Sequence, residues 1–154
     1  RSNFGFLRFP DFSPPLWNQI KTDANRAVIS LPEYQISGSD IDATAIQAAT
    51  THLAMLPDGK NIHLQTQDFR SIESLNHHCI ITNPPYGIRM ETPQQTALLL
   101  KEFGDFLKQK CTGSTAFVYF GEPTLSKKLG LKPDQKWPLR TGGLEGILCR
   151  YPLY

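Results

Sequence analysis

Asn83-Pro84-Pro85-Tyr86 holds the residue types in this chain whose spacing most directly implies chemistry. An asparagine followed by two prolines and an aromatic arises by chance in a chain of this length on the order of once in a thousand sequences. The Asn83 side-chain oxygen and the Pro84 carbonyl are two acceptors suited to the two hydrogens of a planar exocyclic amine. Such an amine is a poor nucleophile, because its lone pair is delocalised into its ring. Two fixed acceptors pull the nitrogen toward tetrahedral geometry and aim the lone pair at an electrophilic carbon such as a sulfonium methyl. The prolines hold the acceptors in place in advance of the reaction. The same oxygens stabilise the ammonium that develops. No dedicated side-chain base is needed, since a newly alkylated amine is acidic and sheds its proton to a carbonyl or to water. Tyr86 is suited to stack on a base drawn out of its strand, a contact of roughly 1–3 kcal/mol. The plainer alternative is a rigid turn with Tyr86 plugging the core.

Two carboxylates accompany this loop. Asp40 in Gly38-Ser39-Asp40-Ile41-Asp42 sits at the end of a short extended run, where an acid can accept both hydroxyls of a ribose. Its competing role is to cap the helix that starts at Ala43, a role Asp42 fills better. Asp68, in Gln67-Asp68-Phe69 at the end of the next run, can accept from an adenine amino group while Phe69 packs on the ring. Its competing role is to cap the short segment from Phe69 to Leu75.

These residues need elements to hold them. Phe4, Phe6, Phe9 and Phe12 form an irregular aromatic segment that requires cover. Ser13-Pro14-Pro15 then reads as a helix start with a capping hydroxyl, and Trp17, Ile20, Ala24, Ala27 and Val28 give that helix an inward face. Tyr34 to Ser37 is a predicted strand ended by Gly38. Ala43 to Leu56 is a predicted helix striped by Ile46, Ala49 and Leu53 and stopped by Pro57-Asp58-Gly59. Ile62 to Gln67 alternates as a strand does. Cys79 to Thr82 is a short apolar strand that delivers the chain into the double proline, which neither a helix nor a central strand accommodates. Thr92-Pro93-Gln94-Gln95 is a capping box opening a helix through Ala97, Leu100, Phe103 and Leu107. Thr115 to Phe120 is a further strand, and Pro123 to Leu129 a short helix. Gln135 to Arg140 and Leu144 to Tyr151 flank Gly142-Gly143 as a hairpin. The alternation predicts an α/β fold, a doubly wound and largely parallel sheet with a C-terminal antiparallel hairpin. In such sheets ligands lie beyond the carboxyl ends of the strands, which is where Asp40, Asp68 and Asn83 fall.

Composition narrows the class. With 154 residues, 40% hydrophobic and 19% charged, the chain has the make-up of one ordinary globular domain. A net charge of +2 carries no basic stripe of the kind that advertises nucleic-acid binding. No apolar run reaches the length of a membrane span, so no membrane partner is expected. Cys79, Cys111 and Cys149 are odd in number and lie in or beside apolar runs, which predicts reduced thiols in a cytoplasmic protein. His77-His78 has no ligand partner at zinc spacing, and no metal site is expected.

Taken together, Gly38-Ser39-Asp40-Ile41-Asp42, Gln67-Asp68-Phe69, Asn83-Pro84-Pro85-Tyr86-Gly87-Ile88-Arg89 and Gly142-Gly143-Leu144-Glu145 resemble the class I S-adenosylmethionine-dependent methyltransferases. Within them the strings are similar to the RNA methylases that accompany a THUMP RNA-binding domain, also labelled N6-adenine-specific DNA methylases. The resemblance spans almost the whole chain, residues 1–154, as a methyltransferase catalytic domain with a Rossmann-like sheet. It implies S-adenosylmethionine as cofactor, held by Asp40, Ile41, Asp68, Phe69 and Asn83. It also implies catalysis by Asn83, Pro84, Pro85 and Tyr86 on guanine N2 of ribosomal RNA. Arg89 and Arg140 are candidate phosphate contacts, with solvated loop arginines as the plainer reading. The runner-up is N6-methylation of adenine in DNA, and a rival of another class is a nucleic-acid-binding module without cofactor. The family's glycine-rich cofactor loop has no counterpart between Arg1 and Tyr34, so the chain is expected to begin just after that loop. An RNA-binding domain is expected on its N-terminal side. In the resembled fold the strand before the loop lies between those ending at Asp40 and Asn83, so two inner edges are expected to be filled by a retained strand, strand exchange or a homodimer.

Overall fold

The computed structural model describes residues 4–85, 92–141 and 144–154. Its elements run α1 (Pro14–Arg26), β1 (Ser37–Asp40), α2 (Ala43–Leu53), β2 (His63–Thr66), β3 (Cys79–Thr82), α3 (Pro93–Lys110), β4 (Thr115–Phe120), β5 (Gln135–Thr141) and β6 (Leu144–Pro152). Short 3-10 segments occupy Gly5–Arg8, Gly59–Asn61, Phe69–Ser71 and Pro123–Leu129. The chain separates into two compact units, Arg1–Ser37 with Thr51–His63, and Gly38–Thr50 with Leu64–Tyr154.

In the first unit the aromatic segment covers itself. Phe6 stacks on Phe4 at 5.3 Å and meets Trp17 edge-on at 5.0 Å, so α1 is pinned at its first turn by ring packing. Ser13 occupies the N-cap with Pro14 after it, yet its side chain makes no capping bond, contrary to the expected hydroxyl cap. The expected inward face of α1 is also unburied: Ile20 and Val28 are exposed, and Val28 lies beyond the helix end at Arg26. Trp17 of that face does find aromatic partners, in Phe4 and Phe6. The loop after α1 is tied down instead by Asp58, which accepts from Leu31 N, and by Asn61, which donates to the Leu31 carbonyl.

The second unit contains the core. α3 begins with both halves of its capping box, Gln95 N donating to the Thr92 hydroxyl at 3.2 Å and Thr92 N donating to the Gln95 side chain at 2.9 Å. Its stripe then buries Leu100, Phe106 and Leu107 against Ala116, Val118 and Phe120 of β4 and Cys149 and Tyr151 of β6. Gly104 lets the Leu129 carbonyl approach the helix, for an added Cβ would stand 1.8 Å from that oxygen. β3 and β4 are parallel, with Ile80 opposite Ala116 and Thr82 opposite Val118. β6 runs antiparallel between β4 and β5, giving the order β3-β4-β6-β5 and the expected closing hairpin. Thr141 pairs with Leu144; Gly142 and Gly143 between them lie outside the described residues.

β1 and β2 form a separate two-stranded sheet. The flanking bonds His63 N to Ile36 O and Gln67 N to Asp40 O advance in the same sense along both segments, as parallel strands require. The single sheet read from the sequence is therefore two sheets, with no hydrogen-bonded ladder between β1 and β3 among the described residues. The division falls where the resemblance puts two open inner edges. Boundaries shift as well. β1 starts at Ser37 because Tyr34 turns at a φ of 61° in the left-handed region, and α2 stops at Leu53, ahead of the proline. Gly38 does not end the strand. It sits within it, where an added Cβ would meet Leu64 at 3.0 Å, so it serves close strand packing.

Candidate functional site

The double-proline loop is positioned by the way β3 is anchored. β3 is four residues long and, among the described residues, pairs with β4 alone. Its entry is fixed by a buried serine. The Ser114 hydroxyl donates to the Leu75 carbonyl and accepts from His78 N at 2.9 Å, while Thr115 N donates to the His78 carbonyl. Two further backbone bonds, Leu75 N to Lys110 O and His77 N to Thr112 O, clamp the same segment to the turn that follows α3. The four-residue strand thus starts from a fixed point, and its carboxyl end releases Asn83, Pro84 and Pro85 as a loop. Asn83 is exposed and the two prolines are half-buried. Tyr86 and Arg89 lie outside the described residues.

Asp40 is the last residue of β1 and is exposed. One carboxylate oxygen accepts from Asp42 N at 2.9 Å, and Asp42 in turn accepts from Thr44 N at 2.8 Å. Asp42 therefore caps α2, which frees Asp40 from that duty. Ile41 beside it is 68% exposed, an apolar side chain turned to solvent between two acids. The backbone bond from Gln67 N to the Asp40 carbonyl brings the Asp68 segment alongside the end of β1.

Asp68 carries the cap expected as its competing role. It accepts from Arg70 N at 2.9 Å, and its backbone carbonyl takes both Ser71 N and the Ser71 hydroxyl. Its second oxygen accepts from the Arg70 guanidinium at 2.8 Å. The Arg70 backbone N–H bond is the main cause holding the Asp68 carboxyl below its ordinary value; burial opposes it, and the Arg70 side-chain bond and charge add to the lowering. Two of about four lone-pair sites on the carboxylate are then in use, leaving acceptor capacity. Phe69 is half-buried, with its ring edge-to-face against Phe103 at 5.3 Å and Phe106 at 5.6 Å. The Arg70 guanidinium covers it at 5.0 Å. The ring is thus fastened to α3, an engagement that the local sequence around Phe69 does not announce.

Asp40, Asp68, Asn83, Pro84 and Pro85 all belong to the second unit. Asp40 closes β1, Asn83 directly follows β3, and Asp68 follows β2 by two residues. Arg140, the other candidate phosphate contact, pairs with Glu145 across the hairpin at 2.8 Å, both side chains being largely exposed. The residue that sequence reading missed is Arg70. Nothing at positions 68–71 signals its link to Glu102, 32 residues further along.

A family model described as "UPF0020: RMKL-like, methyltransferase domain" matches residues 1–150. Among curated proteins, the chain is 35% identical over 152 residues to "Putative RNA methyltransferase slr0064" of Synechocystis sp., covering 98% of this chain and 40% of that protein. It is 26% identical over 164 residues to "Ribosomal RNA large subunit methyltransferase K/L" of Cellvibrio japonicus, covering 99% of this chain and 22% of that one. The chain therefore spans about two fifths or less of the length of these relatives. Among solved structures it is similar to SMU.472 complexed with SAH, at 22% identity and a TM-score of 0.76 over 99% of this chain and 40% of that one. It is also similar to a "possible methylase" from Clostridium difficile 630, at 24% identity and a TM-score of 0.79 over 97% of this chain and 40% of that one. At these identities the structural likenesses establish the methyltransferase fold.

Proposed function

Because the chain belongs to the RMKL-like methyltransferase domain family, we propose that it forms part of the catalytic domain of an S-adenosylmethionine-dependent enzyme that methylates an exocyclic amine of an RNA base, guanine N2 of ribosomal RNA. The observation that carries this reading is the Asn83-Pro84-Pro85 loop released at the carboxyl end of an anchored strand, with two carboxylates at the ends of neighbouring strand segments of the same unit. S-adenosylmethionine, when bound, supplies a sulfonium methyl open to attack by nitrogen.

The residues present fit that cofactor. Asp40 is an exposed carboxylate relieved of helix capping by Asp42, so it retains acceptors for a ribose diol. Exposed Ile41 offers apolar surface next to it. Asp68 is ionised, oriented and has acceptor capacity left for an adenine amino group. On the target side, Asn83 and Pro84 supply the two acceptors that localise the lone pair of the amine, and Tyr86 supplies the stacking surface. The relatives named for RNA and ribosomal RNA support RNA over DNA.

The deciding experiment incubates the intact protein with methyl-labelled cofactor and either ribosomal RNA or genomic DNA, then digests the product to nucleosides. N2-methylguanosine from RNA is the expected product. N6-methyladenine from DNA as the main product would overturn the substrate assignment, and absence of transfer to both would favour a binding module.

A further inference from the structure

Asp68 does not stand alone in this structure. Arg70 reaches it through one guanidinium nitrogen at 2.8 Å and reaches Glu102 of α3 through two others, at 3.0 and 2.6 Å. The guanidinium also lies over Phe69, whose ring is itself seated on Phe103 and Phe106 of α3. One arginine therefore joins a carboxylate on an exposed turn to the helix that carries the core. The guanidinium plane with its fixed fork of donors suits this job, and a lysine ammonium would reproduce its charge but not its geometry. The side chains of Arg70, Glu102 and Asp68 are 48%, 38% and 29% exposed. Ion pairs so close to solvent contribute little to stability, so a structural explanation for the arrangement is weak. What the network fixes strongly is direction. With Arg70 N on one oxygen and the guanidinium on the other, the carboxylate plane is set, and the remaining lone pairs face away from Arg70.

We propose that Arg70 is a positioning residue for cofactor recognition: anchored on Glu102 and Phe69, it holds the Asp68 carboxylate in the orientation that reads the amino group of the adenine ring. This rests on the assignment of Asp68 to the adenine side of the site. Arg70 touches neither cofactor nor target base, and acts through Asp68 alone. Selectivity for a 6-amino over a 6-oxo purine is the property it controls, because an oriented acceptor rewards an N–H donor and penalises a carbonyl.

The test is titration calorimetry on the intact protein with S-adenosylhomocysteine and with its 6-oxo analogue, S-inosylhomocysteine. Variants are Asp68→Asn, Arg70→Ala, Arg70→Lys, Glu102→Gln and the double Asp68→Asn with Arg70→Ala. The expected result for Arg70→Ala is roughly tenfold weaker binding of the adenosyl ligand, about the effect of one misoriented charged hydrogen bond. The inosyl ligand should change far less, so the preference collapses while the melting temperature stays within a few degrees. Arg70→Lys should fall between wild type and Arg70→Ala. Glu102→Gln should move the preference the same way by less, and it serves as the reporter if Arg70→Ala folds poorly. The double variant should bind no more weakly than Asp68→Asn alone, because the two residues act through one contact. If Asp68→Asn loses the preference while Arg70→Ala and Glu102→Gln keep it, Arg70 is not a positioning residue. If Asp68→Asn itself keeps affinity and preference, the assignment of Asp68 falls, and this inference with it.

Discussion

The two ends of the candidate site stand on different scaffolds. Asn83 follows a strand laddered into a four-stranded sheet, with α3 packed on it and a buried serine fixing its entry. Asp40 ends a strand in a two-stranded sheet, and β1, α2 and β2 contribute no buried residue of their own. A target loop that must hold two acceptors to fractions of an ångström gains from a rigid base. A cofactor contact at a sheet with open edges gains its precision from local bonds, Asp42 N for Asp40 and Arg70 for Asp68. The core sets the target half of the site directly; on the cofactor side Asp40 is set by a local bond, and Asp68 by Arg70, which is itself anchored on α3.

Mutation of the core should show the contrast at its largest. Leu107 is fully buried where α3 meets β4 and β6, so Leu107→Ala should lower unfolding stability by about 2–5 kcal/mol. Ile46 on α2 is only half-buried, and Ile46→Ala should cost about 1 kcal/mol or less, since little apolar surface is returned to water. Urea unfolding of the two variants measures the difference. Equal losses would mean that the β1–α2–β2 region is as well packed as the core.

Next in size is the functional split. Asn83→Ala should slow methyl transfer by about a hundred- to a thousandfold, the usual effect of losing one preorganised acceptor, with cofactor affinity within a few-fold. Asp40→Ala should instead weaken cofactor binding about tenfold or more, as expected for a lost charged hydrogen bond, and spare turnover at saturation. Single-turnover rates beside calorimetric affinities separate the two. Transfer at near wild-type rate by Asn83→Ala would remove it from the target side.

The open edges give a third test. β1, β2, β3 and β5 each have a neighbour on one side only among the described residues. Strands so exposed recruit another chain or another segment. We expect the 154-residue chain by itself to bind S-adenosylmethionine weakly and to associate through these edges. Light scattering and mass spectrometry on the isolated chain check this; a monomer with micromolar affinity would show that the edges are closed by some other means.

What the sequence made legible follows the same division. Capping chemistry is local, so Thr92 and Gln95 announced α3, and Asp42 was readable as the cap of α2. The short apolar runs Cys79–Thr82 and Thr115–Phe120 became strands at the expected bounds, because each is flanked by residues a strand excludes. The division of the sheet was not readable from local periodicity, since which strands share a ladder depends on contacts distant in sequence. Nor was the burden on Phe69 and Arg70: their partners Glu102, Phe103 and Phe106 lie more than 30 residues away on a helix whose own pattern looks ordinary. The unburied face of α1 shows the converse, a helical stripe that local pattern suggests and its own unit leaves in solvent.

The smallest expected effect is a titration, and it probes the same contrast through the cysteines. Cys79 is exposed on β3, whereas Cys111 and Cys149 are buried. Burial pushes the Cys111 thiol from 9.0 up to about 11, and Cys149 is raised for the same reason. A thiol whose folded value is raised stabilises the fold fully below its unfolded value and loses that contribution as pH climbs through the folded one. Between about pH 9 and 11, then, the fold should weaken, with Cys111 responsible for about 1 kcal/mol at pH 10. Urea midpoints at pH 8 and 10 for wild type and Cys111→Ala isolate that share, because the variant lacks the group and should show a shallower alkaline loss. Thiol labelling with a chromogenic disulfide at neutral pH supplies the companion measurement: Cys79 should react at once, and the other two only as the core opens. Fast labelling of Cys111 together with an unchanged alkaline slope in Cys111→Ala would mean that the α3 core opens as readily as the β1–β2 end, and the contrast between the two scaffolds would not hold.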